Sequence, residues 1–203
     1  MPRTPLKPKP SPLRIALYSH DSYGLGHLRR NLLLAEALRD ADPDAEILIL
    51  SGSPRAEAFP LPVGVRVVKL PSITKNARGH YVSFRLNVPL VETLKLRKGI
   101  LRETLREYRP DLLLVDHAPL GPQGELLPLL VDLKERVGTR LVLGLRDIMD
   151  EPAKVVHDWE QHGFYPVLEH VYDEILVYGE RSVFPLDRLY GLSDSVRERV
   201  HYL

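Results

Sequence analysis

Two short segments concentrate the residues whose types and spacing could do chemistry. The first reads Ser19-His20-Asp21-Ser22-Tyr23-Gly24-Leu25-Gly26-His27-Leu28-Arg29-Arg30. Gly24 and Gly26 permit a tight turn and a close approach of backbone to a ligand. They precede a helical pattern, and the free N–H groups that open a helix favour an anionic or electron-rich group. His27 falls in the first turn of that helix, and a positive helix end favours a neutral, base-competent imidazole. Arg29 follows as a substrate-binding candidate. The second segment reads Asp116-His117-Ala118-Pro119-Leu120-Gly121-Pro122. A carboxylate closing an apolar strand needs a partner. If the two segments are neighbours, Asp116 orients His27 and stabilises the imidazolium formed as the ring takes a proton. His117 is an alternative partner or base, and Gly121 a further binding position. The bland alternatives stay open: His27 caps or packs, and Asp116 caps a turn.

Arg146 and Asp147 form a third candidate, able to bind hydroxyls or a phosphate, with a surface ion pair as the alternative. The stretch 71–88 is long, polar and basic. Its residues 74–80 are expected to cover a substrate, touch anionic lipid or simply be solvated.

These residues need a scaffold that brings strand ends together. Apolar runs predict strands over 13–19, 45–51, 65–70, 111–116, 140–145 and 174–178. Helical spacing, as in Leu28, Leu32, Ala35 and Leu38, predicts helices over 26–40, 89–108 and 122–137, the last with a kink at Pro128. Shorter helices are expected over 151–161, 165–171 and 193–199. Strands apolar on both faces, alternating with helices, imply a doubly wound, mostly parallel α/β sheet of the Rossmann type. With the first five strands ordered 3-2-1-4-5, the ligand crevice lies between strands 1 and 4, at the switch point. The segments carrying His27 and Asp116 emerge there.

Residues 1–12 carry five prolines and three cations, and read as a disordered tail. Residues 13–203 then form one domain. Lys+Arg is 28 against Asp+Glu 27, which lacks the basic excess of a nucleic-acid binder. With no cysteine, disulfide scaffolds, thiolate metal sites and cysteine nucleophiles are excluded; no metal is expected. No apolar run reaches the length of a membrane helix, and the N-terminus lacks a secretory pattern. A cytoplasmic location is expected. A dinucleotide fingerprint is incomplete: Arg29 replaces the third glycine of the Gly24-x-Gly26 run, and strand 2 ends in Ser51-Gly52 rather than an acid.

The segment Tyr23-Gly24-Leu25-Gly26-His27-Leu28 resembles the Gly-His loop of GT-B glycosyltransferases, as in the peptidoglycan N-acetylglucosaminyltransferase family and plant-type glucosyltransferases. A bacterial group of predicted glycosyltransferases is similar over 13–203, through Val115-Asp116-His117-Ala118-Pro119-Leu120-Gly121, Leu143-Gly144-Leu145-Arg146-Asp147-Ile148 and Val177-Tyr178-Gly179. The resemblance implies an N-terminal, acceptor-binding GT-B half. His27 would be its general base and Asp116 the supporting acid, with a sugar transferred from a nucleotide sugar to an acceptor hydroxyl. The donor-gripping acid and the second glycine-rich loop have no counterpart, so the C-terminal donor domain is expected to be absent. A partner subunit or missing domain would then supply it and bind most of the nucleotide sugar. No other cofactor is implied, and this chain alone is expected to be inactive. A sugar or lipid-linked acceptor, with peripheral membrane contact, follows from the related lipid-acceptor enzymes. The alternative is a non-catalytic sugar- or lipid-binding module, or the scaffold subunit of a split transferase.

Overall fold

A computed structural model describes residues 11–19, 25–56 and 58–203. The elements are β1 (Arg14–Ser19), α1 (Gly26–Ala41), β2 (Glu46–Ser51), β3 (Val65–Lys69), β4 (Ile73–Lys75), β5 (Tyr81–Ser83), α2 (Leu90–Tyr108) and β6 (Leu112–Asp116). They continue with α3 (Leu127–Asp132), β7 (Arg140–Arg146), α4 (Pro152–Gln161), α5 (Phe164–His170), β8 (Glu174–Tyr178), α6 (Leu186–Leu189), α7 (Asp194–Arg197) and β9 (Val200–Tyr202). Most of the expected tail, residues 1–10, lies outside the described residues, as does the glycine loop at 20–24.

The main sheet has seven parallel strands in the order β3-β2-β1-β6-β7-β8-β9. This is the doubly wound α/β fold that the alternating pattern predicts, with the switch point between β1 and β6. Successive strand side chains point to opposite faces, and the core divides accordingly. Ile15, Leu17, Ile49 and Leu114 pack with Ala35 of α1 on one face. Tyr18, Leu50, Val115, Leu143 and Val177 pack with α2 to α5 on the other. Leu101 and Leu105 of α2 are fully buried, and a leucine so placed contributes about 1.5–3 kcal/mol.

A buried polar cluster ties this second face together. The Arg97 guanidinium donates from Nη2 to Glu125 Oε1 (2.6 Å), from Nε to Glu125 Oε2 (2.8 Å) and from Nη1 to the Pro71 carbonyl (2.7 Å). Tyr18 donates its hydroxyl to Glu125 Oε1 at 2.5 Å. Arg97 is fully buried and Glu125 almost so. Their charges cancel, and β1, α2, the segment before α3 and the start of the β4–β5 hairpin share one network.

Three elements differ from the sequence reading. The stretch 71–88 contains an antiparallel hairpin, with Ile73 opposite Ser83 and Lys75 opposite Tyr81. Its turn is built by Asn76, whose side chain accepts from the Arg78 and His80 N–H groups, and by Gly79 at φ 79°. Three-residue strands are too short to show a period of two. The helix expected over 122–137 is broken: a 3₁₀ turn (Pro122–Gly124) precedes α3, and the helix ends in a π turn (Leu133–Val137). Pro128 therefore sits in the first turn of α3, where its missing N–H costs nothing, rather than at a kink. The helix expected over 193–199 is the single turn α7, and the chain then forms edge strand β9 beside β8.

Candidate functional site

Parallel pairing of β1 with β6 places Ser19 opposite Asp116. The chain leaving β1 re-enters the fold as α1, whose first turns lie over the end of β6. His27 and Arg30, three residues apart in a helix, present to one face. Both reach Asp116. His27 Nδ1 lies 2.8 Å from Asp116 Oδ2, and Arg30 Nη1 donates to Oδ1 at 2.8 Å. Asp116 is fully buried, so its two oxygens are satisfied by one ring and one guanidinium. A carboxylate only accepts, so Nδ1 is the donor and Nε2 is the acceptor nitrogen of the neutral imidazole. His27 keeps 20 % of its side chain exposed, which leaves the ring reachable.

Arg30 is itself held from its other side. Its guanidinium lies 4.6 Å from the centroid of the Tyr178 ring, at the end of β8. Burial, then the negative charge of Asp116, pushes the Tyr178 hydroxyl up from its ordinary range. That ring depends on Gly144 of β7: a Cβ there would collide with the Tyr178 hydroxyl. The Gly144 carbonyl also accepts the His117 N–H at 2.7 Å. A glycine thus serves two neighbouring strand ends, as glycine inside an apolar strand often does where something approaches closely.

His117 turns the chain sharply away. The Ala118 N–H donates to the Asp116 carbonyl at 2.9 Å, and the central residue has φ 70°. This is a γ-turn of the rare, strained hand, and backbone strain of this kind concentrates at functional sites. The His117 ring lies 5.4 Å from that of His27, centroid to centroid. Burial lowers its pKa from 6.5 to about 4, helped by the neighbouring His27 ring and the Arg146 guanidinium. Near neutral pH, His117 is therefore an uncharged ring beside His27.

The other sequence-predicted positions fall as follows. Gly26 opens α1 with open space where a Cβ would stand, and Gly24 lies outside the described residues. Arg29 is exposed on the adjacent helix face, and the arginine seated on Asp116 is Arg30. Gly121 has φ 64° and packs closely against the Tyr18 hydroxyl and Leu126, which suits it to the turn. Arg146 is exposed and Asp147 half-buried beyond the end of β7, without an ion pair between them. Asp147 instead accepts the Ile148 N–H at 2.8 Å and lies over Gly179. Sequence reasoning missed Arg30 and Tyr178. The glycine in the apolar run Leu141–Leu145 was the available signal for the close contact there.

Among the described residues no group of three or more histidine or acidic side chains could hold a metal, and no helix is long and apolar enough to cross a membrane. The arrangement can do proton transfer: a reachable imidazole oriented by a buried carboxylate, at the strand ends where open α/β sheets bind ligands.

No protein-family model matches this chain, and no curated protein does. Solved structures do. A UGT transferase from Siraitia grosvenorii in complex with UDP superposes with a TM-score of 0.54 at 13% identity, over 86% of this chain and 46% of that one. Phytolacca americana UGT2, complexed with UDP-2-fluoro-glucose and pterostilbene, superposes with a TM-score of 0.53 at 14% identity, over 85% of this chain and 48% of that one. The chain thus spans less than half the length of either structure, and what it shares with them is the α/β fold of that portion.

Proposed function

We propose that the chain is the acceptor-side half of a GT-B glycosyltransferase of the inverting kind. The observation that carries the reading is the His27–Asp116 pair at the switch point, in a fold shared with two solved transferases bound to UDP or a UDP-sugar. His27 Nε2 takes the proton of an acceptor hydroxyl while Asp116 holds Nδ1 and stabilises the imidazolium. The hydroxyl oxygen forms the new bond to the anomeric carbon. The bond to the nucleoside diphosphate breaks, and the diphosphate leaves with the electron pair. Arg30 and Tyr178 fix Asp116, whereas His117, Gly121, Arg146 and Asp147 line the acceptor crevice. A donor-binding half, on the same chain or on a partner subunit, holds most of the nucleotide sugar. The location that follows is cytoplasmic, with the acceptor drawn from the aqueous phase or from a membrane surface.

The test is nucleoside diphosphate release from a panel of nucleotide sugars with hydroxyl acceptors, using the chain together with its donor-binding half. His27→Ala should lower kcat by about 10²–10⁴-fold. Wild-type turnover in that variant sinks the mechanism. A second reading is a non-catalytic binding module that uses the same crevice. It predicts saturable binding of a sugar or lipid-linked ligand with no turnover in any pairing.

A further inference from the structure

A second concave site lies away from His27, between α2 and α3 on the opposite face of the sheet. It is a groove of about 900 Å³ whose walls are one flank of each helix. Both helices run antiparallel to the strands, so α2 and α3 begin at the carboxyl edge of the sheet and end at its amino edge. The lining changes character along that direction. At the carboxyl edge Val91 and Leu94 face Pro128 and Leu129. Farther along, Lys98, Arg102 and Arg106 face Arg136, and Lys95 lines the groove where the apolar and cationic parts meet. Val91 and Arg106 are fifteen residues apart, about 22 Å along the helix axis.

The charges of α2 are sorted by side. Its lysines 95 and 98 and its arginines 102 and 106 line the groove, while Glu92, Glu103 and Glu107 do not. The two carboxylates that do line it are already engaged: Glu125 by Arg97 and Tyr18, and Asp132 by Arg136 at 3.0 Å. Among the described residues Lys95, Lys98 and Arg106 form no ion pair, whereas Arg102 is paired with Glu103 at 2.8 Å, an exposed pair of little energy that an anionic ligand can displace. The groove is thus cationic at one end and apolar at the other.

From this polarity we infer that the groove binds a single-chain anionic amphiphile, with its alkyl chain over Leu94 and Leu129 and its anionic group among Lys98, Arg102 and Arg106. The end-to-end gradient suits a molecule with a charged end and an apolar end. An amphipathic helix would need a gradient across the groove instead. The floor of the apolar end is recessed, with Leu129 only 7 % exposed, whereas Val91 at its mouth is 70 % exposed.

The test is titration of the full chain with dodecyl phosphate below its micellar concentration, followed calorimetrically, beside inorganic phosphate, 1-dodecanol and vesicles of anionic phospholipid. Saturable one-to-one binding of dodecyl phosphate is expected, weakening with salt. It should exceed that of phosphate and of dodecanol by at least about tenfold each, a difference of roughly 1.4 kcal/mol. The surface variants Arg102→Glu/Arg106→Glu and Val91→Asp should each lose at least about tenfold in affinity with unchanged melting temperature. Equal binding of inorganic phosphate, equal binding of dodecanol, or unaltered affinity in the charge-reversed variant would overturn the inference. So would vesicle binding without binding of the monomeric amphiphile, which would assign the surface to a membrane.

Discussion

His27 and Asp116, eighty-nine residues apart in sequence, meet through Nδ1 and Oδ2 at 2.8 Å. Asp116 is also the only acidic partner of Arg30 among the described residues. Asp116→Asn should retain the shape but lose the charge, leaving one amide to face two donors. A buried donor left unsatisfied costs about 1–3 kcal/mol. Urea denaturation should show a loss of that size. No change in midpoint would mean that the carboxylate does not hold this corner of the fold.

His117 makes stability depend on pH. Its folded pKa is lowered to about 4 from 6.5, chiefly by burial. Between those values the unfolded chain binds a proton that the folded chain refuses, so stability falls as the pH drops from about 6.5 towards 4. The loss from this one group is roughly 2–4 kcal/mol. In His117→Asn, a side chain tolerant of positive φ, the stability curve should be flatter over that window. An NMR titration placing the His117 ring near 6.5 in the folded protein would refute this account.

Gly144 and Tyr178 form a second testable pair. Gly144→Ala puts a methyl group against the Tyr178 hydroxyl and should cost about 1–3 kcal/mol as overpacking. Tyr178→Phe removes the colliding oxygen, so the double variant should recover part of the loss. A double-mutant cycle should give a coupling of about 0.5–2 kcal/mol. Strict additivity would show that the two positions do not share the space.

The Arg97–Glu125 pair predicts an asymmetry. Arg97→Met alone strands a buried carboxylate beside Tyr18 and should cost about 3–5 kcal/mol. Arg97→Met with Glu125→Leu removes both charges and should cost much less, because desolvation of two ions is no longer opposed to folding. Thermal unfolding that ranks the double variant below the single one would contradict the cluster's role as a mutually compensating network.

By itself the sequence determined the scaffold and the approach of His27 to Asp116. Apolar strand runs alternating with helical spacing leave one economical solution, a parallel sheet covered on both faces. Its crossover rules put the ends of β1 and β6 side by side, which is why the pairing of His27 with Asp116 is legible in the sequence. What it could not decide were contacts set by distance rather than period. Arg29 and Arg30 are equivalent in composition, and only the helical phase of α1 turns the second towards Asp116. Tyr178 reaches Arg30 because β8 lies next to β7 and Gly144 leaves its ring room. The β4–β5 hairpin and edge strand β9 are three residues each, too short to carry a pattern. The hairpin forms because Asn76 and Gly79 close its turn, and β9 because β8 supplies its hydrogen bonds. The sorting of cations onto the α3 side of α2 was written in the helical spacing, but that this flank lines a groove was decided only by the packing of the two helices against one sheet.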